Sequence, residues 1–322
     1  MPLISHSSFS GNSILKGKHV ETVLPALLRN MTVPYSRERI ILSDGDFLDL
    51  DWLRGGHRKV LVLFHGLEGS SNSQYIKGMG RYFLNNGYDI CAVNFRTCSG
   101  EMNTVLRTYH TGATDDVNDV LQHIVLHNHY SMMAIGGFSL GGNVVLKYLG
   151  EQVYQLPSIL KSAFAFSVPC DLAASSVEMA KLENSLYMKR FMSTLRTKMK
   201  HKAQQFKGQI NIEGIDRIRT FTAFDNMFTA PMNGFTNAAD YYAKSNALQF
   251  LKHITIPTLF VNAQNDPFLT PSCFPTELAG KHSYLFLETP QYGGHVGFAT
   301  RLPNETYWSE LRAFEFTNRF CT

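Results

Sequence analysis

The sequence predicts an α/β fold: a mostly parallel sheet flanked by helices, with a helical lid inserted after the sixth strand. Three observations carry this expectation. Short apolar runs alternate with amphipathic segments, first up to residue 168 and again from 257 onward. Residues 131–153 read as strand, sharp turn and helix in immediate succession. Between about 171 and 250 no run suited to a buried strand occurs, and helical patterns rich in Met and Phe replace the alternation. The expected division is an N-terminal extension over 1–35, a core over 36–170 and 251–322, and the lid over 171–250.

Residues 1–35 show no clear periodicity and are expected to wrap the core. Residues 37–43 and 47–53 read as two strands joined by Asp44-Gly45-Asp46, a turn signal of the Asp-Gly kind. Lys59–Phe64 is continuously apolar after its first residue, as a strand covered on both faces must be. It runs into His65-Gly66-Leu67-Glu68-Gly69. A helix over 73–86 and a strand over 89–95 follow. Residues 115–127 are amphipathic, with Val117, Val120, Leu121, Ile124 and Val125 on one face. After the strand at 131–138, apolar residues at 140, 144, 145, 148, 149 and 153 have helical spacing. A buried strand at 161–168 closes this half. Beyond the lid come a strand at 257–263, a short helix near 271–278, a strand at 284–288 and a terminal helix from about Glu305.

The chain has 322 residues, 44% hydrophobic and 17% charged, as in a soluble globular enzyme. No apolar stretch approaches the ~20 residues that span a bilayer. The start lacks the basic segment and apolar run of a secretory signal. Five cysteines are scattered without C-x-x-C spacing, which points to reduced thiols in the cytoplasm. A net charge of +4 is too small to imply nucleic acid. The basic character is local: between Asp171 and Lys207 eight Lys or Arg face three carboxylates.

Gly137-Phe138-Ser139-Leu140-Gly141 fits the G-x-S-x-G pattern in which a serine sits on a tight strand-to-helix turn with its hydroxyl exposed. A serine hydroxyl needs a base, normally histidine, oriented by a carboxylate. On such a sheet the partners follow in the order Ser, Asp or Glu, His. Asp266, just past the 257–263 strand, and His295, in Gly293-Gly294-His295-Val296-Gly297, stand in those places. Asp266 could instead cap the helix near Pro271, and Asp171 is a rival acid that better suits the start of the lid. The N–H groups of Leu140 and Leu67 are the expected donors to the oxyanion, and His65 is expected to brace the loop. His123, His127 and His129 read as surface histidines, and Cys98 lacks a visible activating partner. The glycines at 136–142 are no dinucleotide fingerprint, because G-x-G-x-x-G is absent, and nothing in the sequence implies a metal or an organic cofactor.

Within the lid, Met188, Met192, Leu195 and Met199 fall at helical spacing beside Arg196, Lys198, Lys200 and Lys202. Two readings stand. The stripe packs over the pocket with the lysines solvated, or the basic amphipathic helix makes peripheral contact with an anionic membrane.

Taken together, Gly17-Lys18-His19-Val20-Glu21-Thr22-Val23-Leu24-Pro25, His65-Gly66-Leu67-Glu68-Gly69-Ser70, Phe95-Arg96-Thr97-Cys98-Ser99-Gly100, Tyr109-His110-Thr111-Gly112, the Ser139 turn, Asn265-Asp266-Pro267-Phe268 and the His295 loop resemble the α/β-hydrolase fold. More narrowly, they resemble its YheT-like branch, which also groups yeast medium-chain ester synthase/esterases and animal abhydrolase-domain lipases. Phe224-Asp225 and Asp240-Tyr241-Tyr242 in the lid share the likeness. His19-Val20-Glu21-Thr22 departs from the His-Leu-Gln-Thr of relatives. The resemblance implies a carboxylic-ester hydrolase with Ser139 as nucleophile, Asp266 as acid and His295 as base. The expected substrate is a small-molecule acyl ester of short to medium chain. An acyltransferase passing the acyl group to an alcohol, an acylglycerol or phospholipid lipase at a membrane, and a non-catalytic binding module are the alternatives.

Overall fold

The computed structural model describes residues 3–11, 16–300 and 305–321; positions 1, 2 and 12–15 of the expected N-terminal extension lie outside them. Nine strands form one sheet among the described residues: β1 (Leu3–Ile4), β2 (Ser36–Ile41), β3 (Phe47–Leu53), β4 (Lys59–Phe64), β5 (Tyr88–Asn94), β6 (Met132–Phe138), β7 (Leu160–Phe166), β8 (Thr258–Val261) and β9 (Leu285–Glu288). Their spatial order is β1-β9-β8-β7-β6-β4-β5-β3-β2. The β2–β3 and β3–β5 pairs are antiparallel and the remaining pairs are parallel. The expected mostly parallel sheet is therefore present. The N-terminal segment holds more than the sequence suggested: β1 extends the sheet along β9, and α1 (Lys18–Leu28) precedes β2.

Both faces of the sheet are covered, which is why its central strands are apolar throughout. On one side pack α3 (Thr114–His127), through Val117, Val120 and Ile124, and α4 (Leu140–Gly150), which is buried along its whole length. On the other side lie α2 (Gln74–Leu84), through Ile76, Met79 and Phe83, and the terminal helix over Trp308–Asn318. Register aligns Phe64 with Gly137, Phe138 with Phe166 and Phe166 with Val261. The loops after β4, β6, β7 and β8 thus emerge side by side at the carboxyl edge, where sheets of this kind place their sites.

Between β7 and β8 the chain is helical; because β1, which the sequence did not suggest, heads the strand order, this insertion follows the seventh strand and not the expected sixth. In order come α5 (Leu172–Met179), α6 (Ser185–Gln205), α7 (Phe221–Phe224), one π-helical turn (Asp225–Thr229), α8 (Ala230–Met232) and α9 (Ala238–Ser245). Met188, Met192, Leu195 and Met199 of α6 form a buried cluster with Ile215, Ile218, Phe224, Phe228 and Phe268. The chain rejoins the main core slightly before residue 250, since Ala247 and Leu251 already pack within it. Apolar clusters thus fill both faces of the sheet, and two smaller ones lie among the helices above its edge.

Candidate active site

Ser139 ends β6 and starts α4 with φ +53° and ψ −118°, a strained conformation for a residue with a side chain. The flanking glycines explain how the turn closes. A Cβ on Gly141 would press into the Phe64 and His65 carbonyls, and one on Gly137 into the backbone of Gly141 and Gly142. The strand and helix backbones meet too closely for any other residue.

The structure brings the three predicted groups together. His295 Nε2 lies 2.9 Å from Ser139 Oγ, and His295 Nδ1 lies 2.8 Å from Asp266 Oδ2. The Asp266 side chain is fully buried, and its other oxygen accepts the Phe268 N–H at 2.9 Å. Phe268 also packs its ring on the imidazole at 4.3 Å. Asp171 instead caps α5, accepting the Ala174 N–H at 3.2 Å, and takes no place beside His295.

Elements far away in sequence hold the His295 loop. The Thr22 hydroxyl of α1 accepts the His295 N–H at 2.9 Å, and Ser167 accepts the Val296 N–H at 2.9 Å. Asn265 accepts the Gly294 N–H and donates to Glu21 at 2.5 Å. A Cβ on Gly294 or Gly297 would collide with the backbone of Glu21 and Thr22. The glycines of this loop therefore exist because α1 lies against it. None of these supports was foreseen; the only signal was the Gly17–Pro25 motif itself.

The loop after β4 is fixed from both ends. Gly66 N–H donates to the Tyr75 hydroxyl at 2.9 Å and Glu68 N–H to the Tyr109 hydroxyl at 3.1 Å. Between them the Leu67 N–H has no acceptor among the described residues, and neither has the Leu140 N–H at the start of α4. Both leucines line the cavity that holds Ser139 and His295. His65 sits beneath, donating from Nδ1 to the Gly66 carbonyl at 2.7 Å and accepting the Phe95 N–H at Nε2. Complete burial pushes its imidazole down to about 4, so it stays neutral and braces the loop.

Two lysines of α6 point inward, contrary to the expectation of a solvated basic face. Lys198 pairs with Glu68 at 2.9 Å, and the Tyr109 hydroxyl donates to the same carboxylate at 2.5 Å. Lys202 is buried and donates to Asn103 and the Val105 carbonyl, and burial pulls its ammonium down to about 8. The helix is thereby tied to the loop that follows β5. Lys198 also reaches Cys98 Sγ at 3.4 Å, a partner the sequence did not reveal. Burial nevertheless lifts that thiol to about 11, so it remains protonated. His123 pairs with Glu38 at 2.8 Å and stacks on His127.

Ser139, His295, Leu67 and Leu140 open onto a cavity of about 580 Å³. Its walls come from α1, the loops after β4 and β5, and the helices between β7 and β8. Met179, Phe191, Leu195, Phe221 and Phe224 make much of it apolar. The size suits a ligand of small-molecule dimensions.

The model of the alpha/beta hydrolase fold family matches residues 59–301. A putative esterase, YheT, of Escherichia coli is 34% identical over 91% of this chain and 88% of its own. The phospholipase ABHD3 of Mus musculus is 30% identical over 85% of this chain and 69% of its own. Among solved structures, the Pyrococcus furiosus esterase Pf2001 superposes with a TM-score of 0.62 at 16% identity, covering 92% of this chain and 97% of that one. The chain belongs to the α/β-hydrolase fold family, within its YheT-like branch of esterase- and lipase-type hydrolases.

Proposed function

We propose that the protein is a serine hydrolase that cleaves short- to medium-chain acyl esters through an acyl-enzyme. The observation that carries this reading is the series of two hydrogen bonds running from Ser139 through His295 to Asp266 at the cavity wall. His295 Nε2 takes the Ser139 proton as Oγ attacks the ester carbonyl carbon. The negative oxygen that develops is received by the Leu67 and Leu140 N–H groups, left free by the turn geometry. His295 then returns the proton to the departing alcohol, which leaves an acyl-serine. A water deprotonated by the same imidazole attacks that ester and releases the acid. Asp266 stays ionised throughout, holding the tautomer and stabilising the imidazolium. Residues 171–250 act as the lid, excluding water from these steps. Five buried, unpaired cysteines fit a reducing cytoplasm.

The test is turnover of p-nitrophenyl esters from acetate to palmitate by the wild type and by Ser139→Ala. Hydrolysis that peaks at short or medium chains and vanishes in the variant is expected. Equal inertness of both proteins on every ester, with detergent present, would sink the reading.

A membrane-surface version has its own support. No helix among the described residues is long and apolar enough to cross a bilayer, and the Met face of α6 is buried. The solvent-facing turn that leads into α6, and the first turn of α6, are different: Leu182 and Leu186 are 88% and 79% exposed beside Lys181, Lys189 and Arg190. Leu27, 71% exposed on α1, lies at the rim of the cavity. Co-sedimentation with anionic vesicles at low salt, lost in Leu182→Glu/Leu186→Glu, is the expected result. Failure of the wild type to sediment would remove this version.

A further inference from the structure

Two carboxylates line the cavity, and their surroundings differ. Glu68 is paired with Lys198. Asp225, on the wall built by the helices between β7 and β8, has no cation beside it among the described residues. It opens the π-helical turn Asp225–Thr229, a rare backbone form that recurs at functional sites. Thr229 Oγ1 donates to its Oδ1 at 2.6 Å and the Tyr242 hydroxyl to its Oδ2 at 2.7 Å. Phe224, on one side, is buried, whereas Asp225 is half-buried and belongs to the lining of the cavity.

An ionised carboxyl has about four acceptor positions, so two hydroxyls leave room for further donors. Among the described residues, the other titratable groups facing it are the phenols of Tyr241 and Tyr242, neither of which can carry positive charge. Burial pushes the carboxyl up to about 6, which leaves it mostly ionised at neutral pH. Both donors are neutral hydroxyls, one on each oxygen, so the buried charge itself is left without a compensating cation. The same stretch of wall carries Phe221, Phe224, Tyr241 and Tyr242, and aromatic rings also favour a cation.

The geometry points to Asp225 as the anchor of a second subsite in the cavity, receiving a primary ammonium group carried by the substrate. This inference rests on the ester-hydrolase reading for its reaction, though not for its binding. An ammonium would make a charge-assisted hydrogen bond to the free lone pairs and neutralise the carboxylate in place. The group can enter on either side of the scissile bond, so both sides are tested.

Two ester pairs differ only in ammonium against methyl: p-nitrophenyl 6-aminohexanoate against heptanoate, and 3-aminopropyl against butyl hexanoate. At pH 7, kcat/KM of the wild type should favour the ammonium member of one pair roughly tenfold to a hundredfold, the range for a hydrogen bond to a charged group. In Asp225→Asn, whose oxygen accepts from one hydroxyl and whose NH2 donates to the other, that ratio should fall to near one. A wild-type ratio near one in both pairs, or a ratio retained in Asp225→Asn, would overturn the subsite. Turnover of the methyl-terminated esters, with Ser139→Ala as control, reports separately on the hydrolase reading. Should no ester be turned over, hexylammonium decides alone. It should raise the thermal midpoint of the wild type and not of Asp225→Asn, and equal shifts would overturn the proposal.

Discussion

The turn at Ser139 is written within five residues of sequence and packs on the adjoining strands, whereas the His295 loop is held by residues as far as 273 positions away. At the serine, Gly137 lets β6 and α4 touch, Gly141 lets α4 pass the Phe64 and His65 carbonyls at the end of β4, and the strained residue itself lies inside this five-residue turn. At the histidine, a glycine-rich loop takes its shape from α1, through Thr22 and the Glu21 backbone, and from Ser167 and Asn265. Val296 at φ +59°, unusual for a β-branched residue, marks the strain stored there. The nucleophile thus depends on close backbone packing and the base on hydrogen bonds from distant side chains. Substitutions should separate the two.

The largest effect is expected where the two supports meet. Asp266→Asn removes the charge that fixes the imidazole tautomer, and kcat should fall by roughly 10⁴-fold with the fold retained. Steady-state kinetics beside circular dichroism would check this. Next comes Gly141→Ala, which forces a methyl into the Phe64 carbonyl. Overpacking of this kind costs about 1–3 kcal/mol or more, and the displaced serine should lose roughly 10²-fold in rate. Stability and activity should therefore fall together, as denaturant titration and kinetics would show.

The remote support should behave otherwise. Thr22→Val leaves the His295 N–H without its acceptor and lets the base drift, lowering kcat by roughly tenfold, while Thr22→Ser retains the rate. A similar loss of roughly tenfold is expected for Lys198→Met, because Lys198 steadies Glu68 next to the Leu67 donor. The readout is a fall in kcat with little change in KM, restored in part by Lys198→Arg.

These differences also explain what was legible. The Ser139 turn, the order of Asp266 and His295, and the alternation of strands and helices are local patterns, and they stand where the spacing placed them. The terms that failed were tertiary. Lys202 follows Met188, Met192, Leu195 and Met199 along one helical stripe and is buried with them, while Lys200, two residues earlier, pairs with Asp216 at the surface. Nothing in a lysine marks which face will be covered. α1 escaped notice because Pro25 lies inside it and only Glu21 and Pro25 are buried. Its role is to lean on a loop near the other end of the chain.

The last expected effect is on stability and leaves the triad untouched. The Asp225 carboxyl rises from its ordinary 3.8 to about 6 in the fold, so the native state binds more protons than the unfolded chain in that interval. Stability is lost as pH rises through the same window, by at most roughly 3 kcal/mol. Asp225→Asn should therefore melt higher than the wild type at pH 7.5, with the gap closing near pH 4. An unchanged difference across that range would remove the buried charge from the account.

The most direct measurement is peptide mapping by mass spectrometry after treatment with a fluorophosphonate, which phosphonylates a serine only when a base activates it. The account predicts one adduct, on the peptide bearing Ser139, absent in Ser139→Ala and formed much more slowly in His295→Ala. Labelling elsewhere, or at an undiminished rate without His295, would contradict a nucleophile at Ser139 driven by that histidine.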